Sequence, residues 1–241
     1  MKLRPRLITA AVLASASLAL AQAPRIVNRE VGAVPPPGHL AMYPEATGSR
    51  LIAPGSESDD GGGTWRPFMV QPNIHAGIAK GSRREMGQGV VDAANGRALF
   101  ISNALDPRHL DTTKDEPEGA LAEYYLRYRV SADGARTWLV DAPIIHSGAG
   151  FTEQEPFAGI KRGVNAMMSG DCGTVPLITR TGRILFPVQA TVIGADGKLH
   201  DPAHTGGSGF FEVFVLIGAW QGDGRIEWRA SPCVKIAPEV S

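Results

Sequence analysis

The sequence predicts an all-β fold of repeated antiparallel sheets, and three observations predict it. An octapeptide occurs twice. Ser58-Asp59-Asp60-Gly61-Gly62-Gly63-Thr64-Trp65 fits S-x-D-x-G-x-T-W in full, and Ser131-Ala132-Asp133-Gly134-Ala135-Arg136-Thr137-Trp138 departs only where Ala135 replaces Gly. Short Ser and Asp oxygens suit the backbone N–H groups of a tight turn, Gly supplies positive φ, and a Trp that follows can bury its ring between sheets. A hairpin also recurs: Asn95-Gly96-Arg97-Ala98-Leu99-Phe100 returns as Thr181-Gly182-Arg183-Ile184-Leu185-Phe186. Finally, 29 Gly and 18 Pro among 241 residues, with little helical periodicity beyond the N-terminus, favour many short strands.

The elements follow in order. Lys2, Arg4 and Arg6 precede an apolar run over 7–20, and Ala19-Leu20-Ala21 supplies a small-x-small site, so residues 1–21 read as a signal peptide cleaved after Ala21. The run is shorter than the ~20 residues of a membrane-spanning helix. The expected mature protein is secreted or periplasmic and soluble. Residues 22–41, with Pro35, Pro36 and Pro37, read as an irregular lead-in. From 42 to 241 the repeats define three units: blade one over about 42–72, blade two over about 85–147 and blade three over about 164–237. Gly96 and Trp138 are 42 positions apart, and Gly182 and Trp228 are 46 apart, which makes blades two and three copies of one unit.

Within blade two, a strand over 97–103 leads into a polar loop over 106–119, a strand over 124–131, the worn octapeptide and an outer strand over 138–145. Blade three repeats this with strands over 184–193 and 210–217, then a Gly222-Asp223-Gly224 turn before Ile226-Glu227-Trp228. Blade one reads either as abbreviated or as having lost a piece, because Gly48 of the hairpin-like Thr47-Gly48-Ser49-Arg50-Leu51-Ile52 stands only 17 positions before Trp65. Trp65, Trp138 and Trp228 are expected to be largely buried, each in its own sheet. Three blades leave two raw faces where a closed propeller needs about four to eight. Missing blades or a second copy are therefore expected to complete the ring.

Composition excludes some functions. Loss of Lys2, Arg4 and Arg6 leaves 21 basic against 24 acidic residues, a net charge of −3, which gives no footprint for nucleic acid. Cys172 and Cys233 permit at most one bridge. No cofactor or metal is expected: Pro202 separates His200 from His204, and no third ligand stands at informative spacing. Ser147 and Ser169 lack a G-x-S-x-G context, and no glycine-rich phosphate loop joins a strand to a helix.

With the octapeptides, the paired hairpins and Gly182-Arg183-Ile184-Leu185-Phe186-Pro187-Val188-Gln189, the chain from about Met42 to Ser241 resembles the bacterial exo-α-sialidase-like group of the sialidase superfamily, six-bladed Asp-box (BNR-repeat) β-propellers. The resemblance implies a glycoside hydrolase acting on terminal acidic sugars. Three Arg residues would clamp the sugar carboxylate, a Tyr activated by a Glu would attack the anomeric carbon, and an Asp would act as general acid. It places the Tyr, the Glu and two Arg residues in blades later than these three, so this chain alone is expected to be inactive. A non-catalytic carbohydrate- or protein-binding propeller, or a propeller polysaccharide lyase, remains the alternative. The partner in either case is a glycan or other acidic sugar, with no nucleic acid and no membrane once the signal is removed.

Candidate site residues are those entering the innermost strands and the loops between second and third strands, where a propeller pocket opens. Asp171, in Gly170-Asp171-Cys172-Gly173, is the catalytic candidate, with a turn-stabilising Asx role as its alternative. Arg83, Arg84 and Glu85 precede the inner strand of blade two and read either as an anion-binding group or as a solvated charge run. Arg162 and Asn165 approach the blade-three inner strand, and Gln189 ends its second strand. Each of these three suits a polyol, or equally loop backbone.

Overall fold

The computed structural model describes residues 48, 50–53, 55–68, 83–84, 88–106, 109–110, 118–169, 174–200 and 211–234. The expected signal peptide and lead-in, and Glu85, Asp171, Cys172 and His204, lie outside them. The described residues form three antiparallel sheets that follow one another along the chain, as in part of a β-propeller. Sheet one contains β1 (Leu51–Ala53), β2 (Ser56–Ser58) and β3 (Arg66–Pro67), in that order. Between its first two strands stand only Pro54 and Gly55, the latter at φ +76°, so this sheet carries no long loop there.

Sheet two contains β4 (Arg83–Arg84), β5 (Gln88–Asp92), β6 (Arg97–Leu105), β7 (Tyr125–Ser131) and β8 (Val140–Pro143). Sheet three contains β9 (Met167–Met168), β10 (Leu177–Ile178), β11 (Ile184–Thr191), β12 (Phe211–Trp220) and β13 (Ile226–Ala230). Both follow one plan, in which two short segments share an edge of a long second strand and a third and fourth strand complete a meander. In sheet two, Arg84 pairs with Ala104 and Gln88 with Ile101, so both segments lie along the same edge of β6. In sheet three, Met168 pairs with Gln189 and Leu177 with Leu185.

Strand β6 shows why the sheets stack. Its side chains alternate, and both faces are apolar: Ala98 and Phe100 pack with Ile52 of sheet one, while Leu99 and Ile101 pack with Ile184, Phe186, Val188, Phe214 and Leu216 of sheet three. A strand covered on both sides reads as a nearly continuous apolar run, as Ala98-Leu99-Phe100-Ile101 does. Strand β11 differs. Ile184, Phe186 and Val188 face sheet two and are buried, whereas Leu185 is half-buried and Pro187 exposed.

The two octapeptides close the hairpins β2–β3 and β7–β8 with the same bonds. Ser58 Oγ accepts the Gly62 N–H at 2.9 Å, and Ser131 Oγ accepts the Ala135 N–H at 2.8 Å. Asp60 accepts the Thr64 N–H at 2.9 Å and its hydroxyl at 2.8 Å; Asp133 accepts the Thr137 N–H at 2.8 Å and its hydroxyl at 2.6 Å. Ala135 holds φ +65°, near the +96° of Gly62, so the worn copy keeps the turn at the cost of a left-handed alanine. The blade-three turn is tighter than the octapeptide turns: Gln221 N–H reaches Arg225 O at 2.8 Å, and Asp223 accepts only the Arg225 N–H, at 3.0 Å.

Three expectations need correction. Trp228 is 1% exposed, edge-on to Tyr128 at 5.6 Å, but Trp65 and Trp138 are only half-buried. Trp228 lies within β13 on the face toward sheet two. The other two precede their outer strands, at the hairpin end, where one side of the ring meets solvent. Arg83 and Arg84 form β4 itself rather than preceding the inner strand. The loop before β7 ends in a one-turn helix, α1 (Ala120–Glu123), which composition did not reveal.

Candidate functional site

Register separates the two ends of each sheet. Ser131, which opens the octapeptide, lies opposite Ala98, while Tyr125 lies opposite Ala104. Six residue steps of strand put about 20 Å between them. The hairpin clasps therefore occupy one end, and the other end gathers the end of β6, the start of β7, α1 and the segment that crosses from β8 to β9.

Three polar side chains meet at that second end. Asp106, just past β6, accepts the Tyr125 hydroxyl at 3.0 Å and faces Arg162 Nη2 at 3.5 Å. The Arg162 guanidinium lies over the Tyr125 ring, 4.0 Å from its centroid. Its backbone is held on both sides: Arg162 N–H donates to Gln154 O at 3.0 Å, and Gln154 Nε2 donates to Arg162 O at 2.8 Å. The crossing segment is stitched to α1 by Gly163 N–H on Ala122 O at 2.8 Å, and Glu123 beside it receives His109 Nε2 at 3.1 Å. Asn103 Oδ1 accepts both the N–H and the hydroxyl of Ser169, at 2.9 and 3.1 Å, and so ties β6 to the residue after β9.

Arg162 carries the chemistry of this cluster. Asp106 balances its charge, yet among the described residues its buried Nε–H has no hydrogen-bond partner. A buried donor left unmatched costs about 1–3 kcal/mol. A planar guanidinium fixed by an aromatic ring and a carboxylate suits an oxygen acceptor such as a carboxylate or a sugar hydroxyl.

Of the sequence-predicted residues, Arg162 stands in this cluster. Arg83 and Arg84 reach the same end through their backbone, paired with Leu105 and Ala104. Asn165 is 3% exposed and holds the crossing loop: its Oδ1 accepts the Lys161 N–H at 2.7 Å, and its Nδ2 donates to Gly159 O at 2.9 Å and Thr191 O at 3.1 Å. Three of its hydrogen-bonding positions serve the backbone. Gln189 pairs with Met168 and Val213 and lies on the face of β11 turned away from sheet two. Glu85 and Asp171 lie outside the described residues. Sequence reasoning missed Asp106, Tyr125, Glu123 and Asn103. The one signal was the position of Asp106 at the start of the polar loop and of Tyr125 near the start of the strand that follows it.

Electrostatics at the clasp end differ in kind. Hydrogen bonds from the Thr64 N–H, the Ser58 hydroxyl and the Thr64 hydroxyl hold Asp60 well below the usual carboxylate range. For Asp133, burial pushes upward, but bonds from the Thr137 hydroxyl and N–H, the Ser131 hydroxyl and the Arg136 N–H outweigh it and bring the pKa to about 2. Both carboxylates act as turn acceptors. Among the described residues, no group of three or more His, Cys, Asp or Glu side chains could hold a metal ion.

No protein-family model matches the chain, and no curated protein matches it. Among solved structures, the chain is similar to "Hadza microbial sialidase Hz136", at a TM-score of 0.48 and 15% identity, over 77% of this chain and 32% of that one. The chain thus spans about a third of the length of that structure.

Proposed function

We propose that this chain is the N-terminal part of an exported sialidase-like glycoside hydrolase acting on terminal acidic sugars of glycans. The observation that supports the reading is the pair of Ser-Asp-Thr clasps, similar in sequence to Asp-boxes, on the outer hairpins of two successive sheets. Arg162 at the opposite end supports it, since a fixed guanidinium with an unmatched Nε–H suits a sugar carboxylate. The nucleophilic Tyr, its Glu and the rest of the carboxylate clamp belong, in this reading, to sheets beyond the three described here.

A glycan-binding propeller without catalysis is the second reading. It is favoured by the closed pairing of Arg162, Asp106 and Tyr125, which suits holding a ligand better than breaking a bond. Titration of the chain 22–241 with sialylated and desialylated forms of one glycan tests both. Tighter binding of the sialylated form, weakened at least tenfold by Arg162→Ala and partly kept by Arg162→Lys, is expected. Equal affinity for the two glycans, or no loss with Arg162→Ala, would remove acidic-sugar recognition from this cluster.

A further inference from the structure

The stretch that brings Asp106 to Arg162 is strongly acidic. Residues 106–123 contain six Asp and Glu against two Arg and Lys, a net charge of −4 with imidazole neutral. Two of those carboxylates stand beside Arg162. Asp106 faces its guanidinium at 3.5 Å, and Glu123 Oε1 lies 3.6 Å from the point where a Cβ on Gly163 would stand. Adjacent Cα atoms are about 3.8 Å apart, so Glu123 Oε1 is within roughly 9 Å of the Arg162 Cα. The placement is fixed from both sides: Gly163 N–H donates to Ala122 O at 2.8 Å, and Tyr125, two residues after Glu123, lies under the Arg162 guanidinium.

The Glu123 side chain is 13% exposed, and among the described residues its one partner is His109 Nε2 at 3.1 Å. His109 itself is 67% exposed. Imidazole changes its charge between about pH 5 and pH 8, and His109 is the only His in 106–123. When neutral, it leaves the Glu123 charge uncompensated. When protonated, it completes an ion pair and removes that charge from the field at Arg162. A mostly buried carboxylate is screened by salt less than an exposed one, so its field acts over the roughly 8 Å of a physiological Debye length.

A sugar carboxylate held on Arg162 would stand in the field of Asp106 and Glu123, and like charges brought together weaken binding unless one of them is matched. We propose that the His109–Glu123 pair sets how strongly this end selects an acidic sugar, because protonation of His109 cancels the Glu123 charge that opposes the ligand carboxylate at Arg162. This selection presupposes the acidic-sugar reading of the Arg162 end. Around the pair, the charged and titratable groups among the described residues are Tyr125 from β7, Asp106 from the loop of His109 and Arg162 from the crossing segment. By linkage, a proton that favours the ligand is itself favoured by the ligand, so binding takes up a proton.

Titration of the chain with sialylated and desialylated forms of one glycan, at about pH 5.5 and about pH 7.5, tests the pair. A sugar carboxylate stays ionised at both, since both lie above the ordinary carboxylate range. The sialylated form is expected to bind about three- to tenfold more tightly at the lower pH, the effect of one partly screened charge at this range. The desialylated form is expected to bind equally at both. His109→Gln should keep the weaker affinity at both pH values, and His109→Lys the tighter one. Glu123→Gln should bind the sialylated form at the higher pH at least as tightly as the unaltered chain does at the lower. A role in holding α1 alone would weaken binding in His109→Gln and Glu123→Gln alike. Calorimetry in buffers of different ionisation heat reads the proton uptake directly. A sialylated preference that is the same at both pH values, or a pH dependence that His109→Gln leaves intact, would overturn the role of the pair while the acidic-sugar reading stands. No preference for the sialylated form at either pH would overturn both.

Discussion

Asp133 and Asp60 show how much one side chain can do when all its partners are local. Each carboxylate accepts from the Thr four positions on and from the Ser two positions back, so the clasp forms within eight residues. Removing the Asp133 carboxylate leaves turn donors unmatched, and Asp133→Ala is expected to lower stability by about 1–3 kcal/mol. Denaturant unfolding measures that loss, and binding titrations of the folded variant should show glycan affinity unchanged. The pH dependence follows from the depressed pKa. A carboxylate with a folded pKa of about 2 takes up its proton more readily in the unfolded chain, where the value is ~3.9. The stabilisation is therefore full above about pH 5 and lost as pH falls toward 2. Melting curves of the wild type against Asp133→Asn between pH 6 and pH 2 should converge at the acid end.

At the scale of the element, the sheets are held by close approach as much as by apolar area. Gly218 of β12 lies where an added Cβ would come within 2.7 Å of Ile226 Cγ2, 2.9 Å of Trp228 Cζ3 and 3.2 Å of Ile184 Cβ. All three neighbours are buried in the core between sheets two and three, so they have little room to yield. Gly218→Ala is expected to destabilise by about 1–3 kcal/mol, read by denaturant midpoint. Trp228→Ala empties the site of the largest fully buried side chain described and should cost about 3–5 kcal/mol, more than Trp138→Ala, whose ring is half in solvent. The apolar runs and the Asn-Gly and Thr-Gly turns made β6 and β11 legible in the sequence. Their burial was not, because alternation tells which residues share a face and not what covers it.

For the whole molecule, the two ends of the sheets have separate work. At one end the clasps close their hairpins and the Arg50 and Arg97 guanidinium groups donate to backbone carbonyl oxygens of the next sheet, while Asp106, Tyr125 and Arg162 meet at the other. In the proposed function the groups that attack the sugar stand on other sheets, so the chain 22–241 is expected to show no turnover of an aryl sialoside. A release assay checks this, and measurable hydrolysis by that chain would mean that the catalytic groups lie among these three sheets. Arg162 could be singled out from sequence because it approaches an inner strand. Asp106 and Tyr125 could not, since 56 and 37 positions separate them from it and only strand register brings them into contact.

What the sequence determined by itself is what local chemistry determines: the all-β class, the hairpins and the two clasps, where donor, acceptor and positive-φ residue stand within a few positions of one another. The spacing of the repeated units also follows from sequence, because each copy must bury its faces against the next. The tertiary structure alone decided which neighbour each face received. It placed Asn165 in the loop backbone, turned Gln189 away from sheet two, buried Trp228 more deeply than Trp65, and brought Arg162 over Tyr125. These outcomes depend on contacts between residues distant in the chain, whose energies come from packing and desolvation rather than from any short pattern of residue types.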